Sequence, residues 1–159
     1  MAGTKKHFFR GGVAVIFARR VKDYEEIRDG KHIRRQVFVY EQNVPEHIDF
    51  DELDVACTHF IAFNDDGDII GTARSYPYDM LTMKVERVAV LKEWRGKGAG
   101  AKLMEAAETH ARGAGYRNIR LHAQAHAVPF YDSLGYVPTG DSFVEANILH
   151  IAMQKRLVD

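Results

Sequence analysis

Over residues 83–124 a strand, a glycine-rich turn, a helix and a second strand follow one another, and that order admits few folds. Residues 83–91 are apolar and strand-length, 98–113 read as helix, and 118–124 read as strand. Ala99, Leu103, Ala106 and Ala107 give the helix a small-residue face for close packing on a sheet, and Gly113 and Gly115 stop it. A βαβ unit makes its two strands parallel with a right-handed crossover. Upstream, residues 58–63 and 69–76 flank Asn64-Asp65-Asp66-Gly67, the pattern of an antiparallel hairpin. The expected fold is therefore α/β (α+β): a mixed, mostly antiparallel sheet with one central parallel pair and helices on its faces. One irregularity stands out. Arg87 falls on the strand face that otherwise carries Val85, Ala89 and Leu91, and a bulge near Arg87–Val88 would restore the alternation and bend the strand.

The rest of the chain fits around this unit. Residues 13–21 read as a first strand. Residues 23–40 read as a helix capped by Asp23 and anchored by Ile27, Val37 and Phe38, with Gly30 counting against it. Pro45 closes the next region; 46–54 is acidic and irregular or a short helical turn. Residues 75–82, with Pro77, look like a second connection. A short helix at 127–134, a short strand at 136–138 and a terminal strand at 148–155 complete the pattern. With 159 residues and no repeat or linker, one domain over 1–159 is expected, its core at about 12–157.

Lys+Arg and Asp+Glu are both 22, so the chain lacks the cationic surplus of general nucleic-acid binding. Cys57 is the only cysteine, which excludes an internal disulfide and a cysteine zinc site. No signal-peptide pattern opens the chain, and the apolar run at 11–18 is far shorter than the ~20 residues of a membrane helix. A cytoplasmic protein with no membrane partner is expected.

Chemistry concentrates at Val88-Ala89-Val90-Leu91-Lys92-Glu93-Trp94-Arg95-Gly96-Lys97-Gly98-Ala99-Gly100, between strand and helix. Glycines at 96, 98 and 100 let backbone approach a ligand, the helix start offers orphan N–H groups to an anion, and Arg95 and Lys97 add charge. A P-loop needs Ser or Thr after Gly-Lys, and a dinucleotide fingerprint needs a different glycine spacing; neither is met. Arg-x-x-Gly-x-Gly/Ala is met by Arg95, Gly98 and Gly100. A glycine-rich turn with surface cations is the plain alternative.

Three further stretches accompany the loop. They are Ala127-Val-Pro-Phe130-Tyr131-Asp-Ser-Leu134-Gly135-Tyr136, the run from Arg35 to Pro45 followed by Asp51 and Asp54, and the ending Glu145-Ala-Asn-Ile148-Leu-His150-Ile-Ala-Met153. Together with the loop, these resemble the GNAT superfamily of N-acetyltransferases, in particular a small bacterial subgroup of predicted acetyltransferases, over most of the chain. The resemblance implies acetyl-CoA as co-substrate, with its pyrophosphate on Arg95, Gly96, Lys97, Gly98, Ala99 and Gly100. The two parallel strands would splay at their C-terminal ends, and the pantetheine arm would run along Val88, Ala89 and Val90. Gln124 stands where the superfamily often has Asn.

The same resemblance makes Tyr131 the acid for the CoA thiolate and the Val90 N–H an oxyanion donor. Glu86 is its candidate base, acting through water, and His150 a second one. The bland readings are packing for Tyr131, a salt-bridged strand residue for Glu86 and a satisfied strand histidine for His150. His122 reads as structural. His122 and His126 straddle a strand end and suggest no metal, and the glycine and terminal Glu of a calcium loop are absent from the acidic segment. Glu46, Asp49, Asp51, Glu52 and Asp54 read first as a solvated segment, second as a negative mouth for a cationic amine, with Asp51 and Asp54 as acceptor contacts. The expected function is direct acetyl transfer to a primary amine. A CoA-binding sensor or interaction module without activity is the alternative. Cys57, remote from both signatures, is no candidate nucleophile. The acceptor's identity and homodimer formation stay open.

Overall fold

The computed structural model describes Phe9, Arg10 and residues 13–158. Among these, seven strands form the main sheet: β1 (Ile16–Arg20), β2 (Thr58–Asn64), β3 (Ile69–Pro77), β4 (Thr82–Val90), β5 (Asn118–Gln124), β6 (Val137–Glu145) and β7 (Ile148–Arg156). Their order is β1-β2-β3-β4-β5-β7-β6, and only β4 and β5 run parallel. Val13–Ala14 pairs separately with Phe9–Arg10, so the expected first strand begins in earnest at Ile16.

Two neighbouring residues show how helices cover both faces. A Cβ on Gly71 would stand 3.1 Å from Leu103 of α3 (Ala99–Gly113), whereas the side chain of Thr72 meets Gly30 of α1 (Tyr24–Arg34). Successive strand residues point to opposite faces, so α3 and α1 lie on opposite sides of the sheet. α3 presents Leu103, Met104, Ala107 and Ala111 to the main core, all fully buried. Asp23 caps α1 as expected, accepting from the Glu26 N–H at 3.0 Å. Gly30 is there for contact: a Cβ would come within 2.7 Å of Thr72 Oγ1. The helix continues as wider π-type turns over Arg35–Glu41 and ends at Gln42.

The bulge is where the misplaced Arg87 put it. Thr72 pairs with Ala89 and Arg74 with Glu86, so Arg87 and Val88 together oppose Ala73. Arg87 takes a left-handed φ of 54°. On the other side of β4, parallel pairing runs from Thr82–Asn118 to Val85–Leu121 and stops, though the strands continue to Val90 and Gln124. The two strands therefore part just beyond the bulge.

Three expectations need correction. β3 extends through Pro77, leaving residues 78–81 as the connection to β4. The short strand expected at 136–138 is nine residues long and exposed along most of its length. The acidic segment forms a helical turn, α2 (Glu46–Asp49), and a 3-10 turn, Glu52–Val55, and it is not simply solvated: Asp49 and Asp54 are buried. No helix among the described residues is long and apolar enough to cross a membrane.

Candidate active site

A cavity of about 840 Å³ occupies the region where β4 and β5 part. Its wall is drawn from the π-helical end of α1, the acidic turns, the β4–α3 loop, α4 (Val128–Ser133), β5 and the start of β7. Every expected site residue except Lys97 and Asp54 lines it; Lys97, on the loop, holds its Nζ 5.1 Å from the Trp94 ring centre.

The loop glycines separate into two kinds. Gly96 and Gly98 have φ of 75° and 93°, and nothing lies within 4 Å of where a Cβ would sit. Both conformations suit glycine, and the space before them is open to a ligand. Gly98 caps α3 without a side-chain hydrogen bond, leaving the first N–H groups of a fifteen-residue helix for an anion. Gly100 differs: its Cβ would stand 3.0 Å from the Phe130 ring, so the residue packs α3 against α4 and does not admit a ligand. Ala99, 2% exposed, offers only backbone.

Arg95 also differs from expectation. Its guanidinium pairs through two nitrogens with Glu41, at 2.8 and 3.0 Å, and its Nε donates to Val90 O at 2.9 Å. It rivets the end of the helical segment to the end of β4. The neighbouring Leu91 N–H is bonded back to Ile70 O at 2.9 Å. Successive N–H groups of a strand point to opposite sides. The Val90 N–H therefore faces the gap between β4 and β5. Val88 is half-buried in the cavity wall, and Ala89 packs its methyl toward Ile33 and Val37. Gln124 makes a reciprocal amide pair with Gln42, 2.8 and 3.0 Å, bridging strand end and helix end.

Tyr131 is 8% exposed, its ring edge-on to Phe130 at 4.9 Å and to Tyr136 at 5.9 Å. Burial pushes its pKa above that of a free phenol, so the hydroxyl is protonated at neutral pH. Glu86 accepts from Arg74 at 2.7 Å, Lys84 at 3.0 Å and Tyr76 at 3.2 Å. Burial pushes its pKa up, but the bonds from Arg74 and Lys84 outweigh burial and hold it below the usual range. A carboxylate kept ionised this firmly is a poor proton acceptor, which counts against Glu86 as base.

Asp54 is saturated by Arg34 at 2.6 Å and Arg74 at 2.7 Å and is no acceptor contact. Asp51 borders the cavity but bonds Arg74 at 2.8 Å and Arg87 at 3.3 Å. Arg87 also donates to Ile48 O at 3.1 Å and Asp49 O at 3.2 Å, tying the acidic turns to the bulge. Burial raises the pKa of Asp49 against the pull of Arg34 and Arg87. Four acids, Asp49, Asp51, Asp54 and Glu86, thus face four cations, Arg34, Arg74, Lys84 and Arg87. Sequence reasoning missed Arg87 and Gln42 as site residues; the broken alternation at Arg87 was a signal, whereas Gln42 lay within the run from Arg35 to Pro45 with nothing to set it apart.

At the β5–β7 side, His150 is 7% exposed and donates from Nδ1 to Ile148 O at 2.7 Å. His122, expected to be structural, lines the same cavity. Cys57 is not in the cavity wall, and burial pushes its thiol up to about 11. Among the described residues no group of three or more His, Cys, Asp or Glu is placed to hold a metal ion.

The sequence profile of the acetyltransferase (GNAT) domain matches residues 20–157. The chain is 37% identical over 135 residues to the uncharacterized N-acetyltransferase YjcF of Bacillus subtilis, covering 84% of this chain and 95% of that protein. It is 32% identical over 130 residues to ElaA of Escherichia coli, covering 79% and 84% of the two chains. The crystal structure of ElaA superposes with a TM-score of 0.74, covering 90% of this chain and 99% of that one, at 26% identity. A GNAT family acetyltransferase from Elizabethkingia anophelis with acetyl-CoA bound shares the fold, with a TM-score of 0.68 over 89% and 97% of the chains at 14% identity. A family profile spanning most of the chain, relatives over a third and near a third identical, and the parted parallel strands agree: the protein belongs to the GNAT acetyltransferase family.

Proposed function

We propose that the protein is an acetyl-CoA-dependent N-acetyltransferase that passes the acetyl group directly to a primary amine. The observation that carries this reading is the open cradle at Gly96 and Gly98, at the head of α3, leading into the gap between β4 and β5 where Tyr131 stands protonated. Backbone N–H groups at the start of α3 hold the pyrophosphate, and the thioester carbonyl lies within reach of the Val90 N–H. That N–H stabilises the oxyanion as the amine attacks. The C–N bond forms, the C–S bond breaks, and the leaving sulfur takes the Tyr131 proton; the amide nitrogen's surplus proton returns to the phenolate oxygen. The tyrosine is thus regenerated with no covalent enzyme intermediate. Its proton-donating hydroxyl favours an active enzyme over a CoA-binding sensor.

Thermal unfolding with added ligand tests the reading. Acetyl-CoA at ~100 times its Kd stabilises the fold by ~2.7 kcal/mol, or about 5–10 °C for a chain of this length, and NAD does little. No shift with millimolar acetyl-CoA refutes the cradle. A shift without CoA release across a panel of primary amines supports the sensor instead.

A further inference from the structure

The four-acid, four-cation network leaves one carboxylate of the cavity wall outside it. Glu145 closes β6, half exposed, and its ion-pair partners are the two histidines: His122 Nδ1 at 3.5 Å and His150 Nε2 at 3.8 Å. The turn that follows it, Ala146 and Asn147, is left-handed at both residues, φ 50° and 61°. That turn sets Glu145 over β5 and β7. The Phe143 ring braces both histidines, edge-on to His122 at 4.8 Å and stacked on His150 at 5.9 Å.

Each imidazole has one nitrogen assigned. The Nδ1 of His150 donates to a carbonyl, so its neutral ring carries a lone pair on Nε2. The Nδ1 of His122 is buried without a hydrogen bond, 3.5 Å from Glu145 Oε2, and the residue lines the cavity, so Nε2 is the nitrogen left to meet a ligand. Carboxylate to Nδ1, with Nε2 free, is the arrangement that orients an imidazole as a proton acceptor. Glu145 Oε2 and His150 Nε2, both acceptors and 3.8 Å apart, are spaced to take two hydrogens of one ammonium group.

We propose that His122 is the proton acceptor of the transfer, positioned by Glu145, and that the acceptor substrate is a cationic primary amine received between Glu145 and His150. The proposal rests on the acetyltransferase reading. The N–H bond of the ammonium breaks, its proton passes to His122 Nε2, and the neutral amine attacks the thioester; the imidazolium then gives its proton to solvent past the half-exposed Glu145. The charged and titratable groups around His122 are Lys84 on β4, Arg120 on β5, Glu145 at the end of β6 and, beyond Glu145, His150 on β7. Burial keeps the ring below the usual histidine range, with Lys84 acting the same way and Glu145 against it, so it is neutral and able to accept at neutral pH.

The test measures CoA release from acetyl-CoA with n-butylamine, benzylamine and Nα-acetyl-lysine between pH 5.5 and 9, for the native chain, His122→Gln and Glu145→Gln, alongside the acetyl-CoA thermal shift. The native kcat/KM rises with pH along an acid limb. His122→Gln loses that limb and falls about 10²-fold or more at neutral pH while keeping the thermal shift. Glu145→Gln raises KM for the amine and moves the limb to lower pH. Histidine ring titration by NMR gives a readout free of turnover: Glu145→Gln lowers the His122 midpoint. An unchanged limb in His122→Gln, or an unmoved His122 midpoint in Glu145→Gln, overturns the proposal even where transfer persists. Absence of both thermal shift and transfer in the native chain overturns the acetyltransferase reading, and this inference with it.

Discussion

Arg87 does two things whose energies can be separated. Its backbone sits at a left-handed φ of 54°, and its side chain bonds Ile48 O, Asp49 O and Asp51. Arg87→Ala removes the side-chain bonds and keeps a Cβ in the left-handed region. Asp49, 1% exposed, then has Arg34 as its remaining cation. Stripping one partner from a fully buried pair costs about 3–5 kcal/mol; Arg87 is 23% exposed, so about 2–3 kcal/mol is expected. For a chain of this length that lowers Tm by about 5–10 °C. Arg87→Gly loses the same contacts but relieves a left-handed cost of about 1–2 kcal/mol, against an added chain-entropy cost of about 0.5–1 kcal/mol. The glycine variant should therefore be the more stable of the two by about 0.5–1 kcal/mol. Urea unfolding of the pair, followed by circular dichroism, measures the difference. An alanine variant as stable as the glycine variant, or more so, refutes the claim that the bulge holds Arg87 under strain. Stability of both variants equal to the native chain refutes the claim that the acidic turns hold the bulge.

Other outcomes follow from the same geometry. Tyr131→Phe keeps the ring packing and deletes the donor, so kcat should fall by about 10²-fold while the acetyl-CoA Kd barely moves; full kcat across pH 6–9 with chemistry rate-limiting makes Tyr131 a packing residue. Gly98→Ala intrudes on the cradle and should weaken acetyl-CoA in calorimetry. Gly100→Ala displaces Phe130, whose ring lies 4.9 Å from that of Tyr131, and should lower kcat more than affinity; equal effects of the two would dissolve the distinction. Glu26 is held at about 2 by two 2.8 Å bonds from Arg19, so its stabilising contribution is whole above the unfolded value near 4.5 and is lost as pH falls toward 2. Glu26→Gln should flatten the loss of urea stability between those values, and an unaltered pH slope shows the pair to be without weight.

The βαβ unit, the hairpin at Gly67, the Asp23 cap and the bulge at Arg87 were legible because each is a local pattern: periodicity, a turn dipeptide, a capping side chain, one residue out of phase. The loop glycines were legible as a group but not individually, since the left-handed φ of Gly96 and Gly98 and the approach of Phe130 to Gly100 separate them only in the fold. The acidic turns misled because a run of Asp and Glu reads as solvated until Arg34 and Arg74, both almost wholly buried, are brought beneath it. Glu86 carried the right address and the wrong environment: its cations come from Arg74 on β3 as well as from Lys84 beside it. The same holds for His122, whose partner Glu145 lies 23 positions away by the residue numbers.

Only the first residues of β6 were legible, for a reason with its own consequence. Its sequence, Val-Pro-Thr-Gly-Asp-Ser-Phe-Val-Glu, has no sustained alternation, and its pairing with β7 slips between Pro138 and Ser142. A strand at the rim of a sheet shows one row of backbone groups to whatever drifts past. Here a proline withholds a donor from that rim, the slip breaks its repeat, and Asp141 and Glu145 burden it with charge. The irregularity that hides most of β6 from pattern reading also makes it a poor template for a stray chain, so the sheet is finished at this side without a further layer to seal it.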